Sequence, residues 1–261
     1  MTGLPTASQI TVNDTAIRVW RKGQGERIGF LAGIGGLPRW TPFLDRLAET
    51  HEVIAPSLPG FPGAAGHDTL DTIFDWLLAT RDILVASGLE GADLMAVSVA
   101  GALAADVAGV WPGSVRRLVL VAPFGLFDTA EPATDIWALR PGHLADFMTR
   151  DRETYKAFIE QPDEADPIEW KVEQMRALEA SARFLFPTGN TGLERRLQRI
   201  ACPVLLLRGS LDKVMPRAYL ERFAAGVSGA AMLIDVADAG HLAELDQPDR
   251  VAQLVQNFLD R

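Results

Sequence analysis

A chain of 261 residues, 48% hydrophobic and 23% charged, is long enough for one large core and has the balance of a folded globular protein. Its formal net charge of −9 and the lack of a concentrated basic patch argue against nucleic acid as a partner. The single cysteine, Cys202, allows no disulfide within the chain.

Short β-type runs alternate with helical patterns, as in an α/β protein with a mostly parallel sheet. Gln9–Val12 and Ile17–Trp20 flank the turn signal Asn13-Asp14 and predict an opening hairpin. Ile28-Gly29-Phe30-Leu31 is predicted as a buried strand, ending in the glycine-rich loop Ala32-Gly33-Ile34-Gly35-Gly36. Trp40, Phe43, Leu44 and Leu47 follow at helical spacing, then Val53-Ile54-Ala55 as a strand and Leu58-Pro59-Gly60-Phe61-Pro62-Gly63 as a loop. A helix is expected over 72–86, a strand over 93–97, a helix over 99–110 and a fully apolar strand over 118–121.

After Pro123 the alternation stops. Residues 124–199 read as a helical insertion, and Ile168, Val172, Met175, Ala182 and Leu185 mark one amphipathic helix in it. Within it, Glu160–Pro167 is acidic, proline-bracketed and expected at the surface, and Glu194–Arg199 reads as a solvated helix face. Strand–helix order resumes at Pro203, with Cys202 as a small hydrophobe at the strand mouth, and Val251, Leu254, Val255 and Phe258 give a closing helix. The expected organisation is a core of residues 1–123 and 200–261 with a cap of residues 124–199.

The longest apolar stretch, Leu94 to Ala105, stops at Asp106, short of the ~18 residues of a membrane span. Met1-Thr2-Gly3-Leu4-Pro5 has neither the basic start nor the apolar core of a secretion signal. A cytoplasmic protein without membrane contact is the expectation.

Chemistry concentrates at three places. Leu94-Met95-Ala96-Val97-Ser98-Val99-Ala100-Gly101 is a strand that stops at a lone hydroxyl and restarts as a small-residue helix, the layout of a nucleophile elbow. Asp212 follows the strand ending at Leu207, in Gly209-Ser210-Leu211-Asp212, and His241 follows the strand ending at Val236, in Gly240-His241. In this order and on these loops the chain resembles the α/β-hydrolase superfamily over nearly its whole length. The resemblance implies Ser98 as nucleophile, His241 as base and then acid, and Asp212 as the carboxylate that orients the ring. It also implies two backbone amides for the oxyanion, those of Val99 and Ile34. No cofactor is implied.

Each residue has a plainer reading. Ser98 could bond a carbonyl at a helix start, and Asp212 could cap the helix near Pro216. Asp128 is the better substitute acid, because Asp238 shares the histidine's own loop. His51, His67 and His143 have no partner at a telling spacing and read as surface histidines; no cluster has metal-ligand spacing. The glycine loop lacks the lysine that a phosphate-binding loop requires.

Five positions depart from the family pattern. Ala96 and Ala100 stand where glycines usually flank the serine, and Ala32 stands where the oxyanion loop usually carries an ordering histidine. Ser57 replaces an aspartate, and Val97 precedes the serine where His or Asn is common. The resemblance therefore implies a serine hydrolase for a small, hydrophobic carboxylic ester. A carbon–carbon bond hydrolase of a vinylogous diketone is an alternative, as is a ligand-binding protein that keeps the fold without turnover.

Overall fold

The computed structural model describes residues 3–140, 142–162 and 165–261. Met1 and Thr2, and Asp163 and Glu164 of the acidic segment, lie outside the described residues, as does Pro141.

Eight strands form one sheet, in the order β1-β2-β4-β3-β5-β6-β7-β8. The hairpin is β1 (Thr6–Val12) and β2 (Thr15–Lys22), antiparallel to each other, with β2 also antiparallel to β4 (Glu52–Pro56). Its two turn residues, Asn13 and Asp14, take φ of 47° and 61°, the left-handed pair of a two-residue hairpin turn. From β4 onward every pairing is parallel, through β3 (Arg27–Leu31), β5 (Ala92–Val97), β6 (Val115–Val121), β7 (Val204–Gly209) and β8 (Ala231–Val236). Those central strands are apolar on both faces because helices cover both.

The predicted helices form with local signals intact. Helix α1 (Pro42–Leu47) starts at an N-cap Thr41, so Trp40 of the predicted apolar face lies before it. Helix α2 (Ile73–Ala86) begins with a capping box, the Thr72 and Asp75 side chains each bonding the other's backbone N–H. Helix α3 (Val99–Val110) is built mostly of Ala, Gly and Val and is buried on nearly every side.

Between β6 and β7 lie α4 (Ala145–Met148), α5 (Arg152–Phe158), α6 (Pro167–Leu185) and the 3-10 segment Leu193–Arg199. The buried face of α6 differs from the predicted one: Ile168, Val172 and Met175 are 75%, 56% and 60% exposed. Trp170, Ala177, Ala180, Ser181 and Phe184 face inward instead, together with Leu185 of the predicted set. The reason is close approach: a Cβ on Gly60 would stand 2.6 Å from that of Ala180, so only small residues fit there. Phe184 meets Trp76 of α2, ring centroids 4.8 Å apart.

The 3-10 segment runs along α3 before the chain enters β7. Its basic run is not wholly solvated, because Arg196 donates through Nε to Asp106, whose side chain is fully buried on α3. Helices α7 (Arg217–Gly226), α8 (Ala243–Asp246) and α9 (Pro248–Leu259) complete the fold. None of the described helices is long and apolar enough to cross a membrane.

Candidate active site

The carboxyl ends of five neighbouring strands deliver the loops of interest to one edge of the sheet. Ser98 occupies the single residue between β5 and α3, with φ 53° and ψ −120°. An L residue there is strained by about 1–3 kcal/mol, so the surroundings must hold it. They do so through three backbone bonds. Ser98 N–H donates to Val121 O at 2.8 Å, and Ser98 O accepts from Gly101 N–H at 3.0 Å and Phe124 N–H at 3.1 Å.

This geometry explains the alanines at 96 and 100. Both are fully buried without disturbing the turn. The tight crossing falls instead at Gly101, where a Cβ would stand 2.7 Å from Pro123 Cβ and 3.0 Å from its Cα. On the other side of the serine, a Cβ on Gly33 would come within 3.0 Å of Ser98 Cβ.

His241 Nε2 lies 2.7 Å from Ser98 Oγ, and its Nδ1 lies 3.0 Å from Asp212 Oδ2 and 3.2 Å from Oδ1. Ser98, His241 and the Asp212 carboxylate have no exposed area. Asp212 Oδ1 also accepts from the N–H groups of Val214 at 2.7 Å and Met215 at 3.0 Å. Burial pushes the Asp212 carboxyl up, but the facing His241 and these hydrogen bonds outweigh it and hold the group below its ordinary value. With the imidazole neutral, Nδ1–H donates to this carboxylate and Nε2 is left to accept the serine proton.

The rival acids lie elsewhere. Asp128 pairs with Arg222 at 3.3 Å and caps Ala130, and Asp238 donates its N–H to Ser210 Oγ from an exposed turn. Nor are the other histidines all at the surface: His51 and His67 are buried, His51 bonding Thr50 Oγ1 and His67 lying 3.5 Å from Glu179. Among the described residues no group of three or more His, Cys, Asp or Glu could hold a metal ion. The Cys202 thiol is pushed up to about 11 by burial.

Val99 is the first residue of α3, so its N–H belongs to the set a helix leaves unpaired. The Ile34 N–H donates to no backbone carbonyl among the described residues. The loop that holds Ile34 is closed by Gly36 N–H donating to Gly33 O at 3.0 Å.

One brace had no part in the sequence expectations. Asp246 Oδ2 accepts from Gly240 N–H and from Arg150 N–H, each at 2.7 Å, tying the histidine loop to the segment ahead of α5. Its signal is a carboxylate five residues past His241, at the end of a one-turn helix.

A cavity of about 610 Å³ adjoins the glycine loop, lined by Gly35 and by Ile136, Trp137, Tyr155, Trp170 and Leu178 from the inserted segment; none of Ser98, Asp212 and His241 is among its lining residues. Trp137 and Trp170 therefore face it, whereas Met148 and Phe184 are packed in the core and Phe186 is exposed. Phe124 sets its ring edge-on to His241 at 6.0 Å, Trp137 packs on Phe124 at 5.9 Å, and Trp137 Nε1–H donates to Ser181 Oγ.

Known proteins resemble this chain in sequence or in fold. The chain is 27% identical to the dihydrolipoyllysine-residue acetyltransferase component of the acetoin cleaving system of Cupriavidus necator, over 95% of this chain and 67% of that one. It is also 27% identical to carboxylesterase YbfK of Bacillus subtilis, over 80% of this chain and 69% of that one. A solved structure, the 2-hydroxy-6-oxo-6-phenylhexa-2,4-dienoate hydrolase of Rhodococcus sp. strain RHA1, superposes with a TM-score of 0.82 at 18% identity, covering 100% of both chains. The model of the alpha/beta hydrolase family matches residues 30–254, spanning every strand from β4 to β8 and all three loops that carry Ser98, Asp212 and His241. The chain belongs to the alpha/beta hydrolase family.

Proposed function

We propose that this protein is a serine hydrolase that cleaves a carboxylic ester with an apolar acyl or alcohol part, through an acyl-enzyme on Ser98. The observation that carries the reading is the unbroken line of contacts from Ser98 Oγ to His241 Nε2 at 2.7 Å and from His241 Nδ1 to Asp212 at 3.0 Å. A serine hydroxyl is a weak nucleophile at neutral pH, and a neutral imidazole at that distance takes its proton as the oxygen attacks. Asp212 keeps the proton on Nδ1 and balances the imidazolium. His241 then protonates the departing alkoxide, and a water attacks the acyl-enzyme by the same relay.

The negative oxygen of each tetrahedral intermediate needs donors already in place, worth about 3–4 kcal/mol apiece in enzymes where one was removed. Val99 and Ile34 N–H groups fill that role in this proposal. Residues 124–199 act as a cap over the core formed by 1–123 and 200–261, and the cavity beneath supplies the substrate's apolar surroundings. The likeness to a carboxylesterase supports the ester as the bond cleaved.

The test is turnover of p-nitrophenyl esters of increasing acyl length by the wild type and by Ser98→Ala, alongside labelling by a fluorophosphonate. Rapid labelling at Ser98, and loss of both signals in the variant, is the expected result. A preference for a ring-cleavage dienoate over these esters by orders of magnitude replaces the ester reading with carbon–carbon hydrolysis. Failure of the wild type to label overturns the nucleophile itself and leaves a ligand-binding protein on a hydrolase fold.

A further inference from the structure

Glu244 sits three residues past His241, on α8, and is 5% exposed. Its Oε2 is sealed from solvent and has no hydrogen-bond partner among the described residues. A buried carboxyl oxygen without a partner is costly, by about 1–3 kcal/mol even for a neutral group. The residue borders a cavity with about 10 Å³ of room for a water centre. That is about the space of one water molecule. The glycine loop (Ala32, Gly33, Ile34, Gly36) and Thr41 form half of the other walls, and apolar side chains, Phe30 and Phe158 among them, form the rest.

The cavity is polar enough to hold a water. Besides Glu244 it has the loop's backbone groups and Thr41, whose hydroxyl accepts from Leu44 N–H at 3.4 Å and keeps its own proton to give. It also lies beneath Ala32, where no side chain can order the loop. Resting on the reading of Ser98 as nucleophile, we propose that Glu244 is a positioning residue for the glycine loop. Its carboxylic acid, through one water in this cavity, hydrogen-bonds the loop backbone and fixes the Ile34 amide that meets the oxyanion.

The acid form suits this task, because it both donates and accepts. Burial pushes Glu244 up to about 8, with Asp246 adding to the rise, so the carboxyl keeps its proton at neutral pH. The titratable and charged side chains on the elements packed against α8 are engaged elsewhere or absent from the cavity wall. On α1, Asp45 pairs with Lys22, and Arg46 pairs with Asp249 of α9. On α5, Arg152 pairs with Asp146, Lys156 pairs with Glu153, and Tyr155 lines the larger cavity. On β7, Arg208 donates to the carbonyls of Met215 and Asp212, and on α9, Arg250 bonds Gln253. Ionisation of Glu244 therefore places an unpaired negative charge under the oxyanion donors, where it opposes the charge that forms.

The experiment compares wild type, Glu244→Gln and Glu244→Leu for kcat and KM on one p-nitrophenyl ester, from about pH 6 to about pH 10. Rates of Ser98 labelling by a fluorophosphonate are measured alongside. Wild-type kcat is expected to fall about tenfold or more above pH about 8, as the acid ionises. Glu244→Gln keeps a donor and an acceptor but cannot ionise. It is expected within about threefold of wild-type kcat at neutral pH, without the alkaline fall. Glu244→Leu is expected to lose about tenfold to a hundredfold in kcat with KM little changed, the mark of a donor felt only in the transition state. An alkaline fall that survives in Glu244→Gln overturns the inference, and this arm decides if the leucine variant does not fold. A folded Glu244→Leu with wild-type kcat overturns it too, as does a dry cavity in a high-resolution crystal structure. If wild-type Ser98 is not labelled, the hydrolase reading fails and takes this inference with it; intact labelling with an unmoved pH profile sinks the inference alone.

Discussion

Replacing Asp212 by Asn tests the relay through the direction of a single proton. Asp212 Oδ1 accepts from two backbone N–H groups, Val214 at 2.7 Å and Met215 at 3.0 Å. An amide NH2 cannot take that place without losing both bonds, each worth about 1 kcal/mol and leaving a buried donor unpaired. The Asn oxygen is therefore held at the Oδ1 position, and its NH2 faces His241 Nδ1, 3.0 Å away at the Oδ2 position. Nδ1 must then accept, and the ring proton moves to Nε2, where it faces Ser98 Oγ at 2.7 Å and blocks proton removal. The same tautomer inversion costs about 10⁴-fold in kcat in a serine-protease triad, equivalent to about 5.4 kcal/mol of barrier. The assay is steady-state ester hydrolysis with active-site titration, and a crystal structure shows that the backbone bonds are kept. Activity within tenfold of wild type would refute the role given to Asp212, and with it the assignment of the base.

Three further outcomes follow from the packing. Gly101→Ala drives a Cβ to within 2.7 Å of Pro123. It should cost about 1–3 kcal/mol in urea unfolding and lower kcat, because Phe124 N–H next to that proline holds the Ser98 carbonyl. Arg196→Met leaves the fully buried Asp106 carboxylate without its cation. A loss of about 3–5 kcal/mol is expected, at least half regained by adding Asp106→Asn; a loss under about 1 kcal/mol would show that the pair contributes little. Glu244 has a folded-state pKa raised from 4.5 to about 8, so the folded protein holds a proton that the unfolded chain gives up in that window. Wild-type stability should therefore fall relative to Glu244→Gln as pH rises from about 4.5 to about 8, by on the order of 4 kcal/mol, and level off above it. A thermal-melt series that shows the opposite slope would contradict a buried, protonated carboxyl.

The sheet was legible because parallel strands covered on both faces must be apolar throughout, and runs such as Val204–Leu207 have little other use in a folded chain. Ser98, Asp212 and His241 were legible as a set because each follows such a strand, and parallel strands deliver their carboxyl ends to one edge. What stayed hidden depends on size and neighbourhood rather than hydropathy. The inner face of α6 was misread because Ile168, Val172 and Met175 share a helical spacing that says nothing about which side is covered. Its true inner face includes Ala180, kept small by the clearance against Gly60. The alanines beside Ser98 depart from the family pattern without disturbing the turn, because the clearance is needed one residue later, at Gly101. Glu244 reads in sequence as an ordinary polar residue of a short helix; only burial against the glycine loop sets it apart.

Ser98 and His241 have no water-accessible surface, and Trp137, pinned to Ser181, packs on the ring that meets His241. Under the proposed function, a substrate must therefore wait for this cover to part before it can reach Ser98. For a working hydrolase that sets a ceiling common to all substrates: kcat should level off as leaving groups improve and should slow in viscous solvent. If the proposed function holds, loosening the Trp137–Ser181 tie should raise turnover of the most reactive esters while leaving the sluggish ones unchanged, because Trp137 packs on the ring that meets His241.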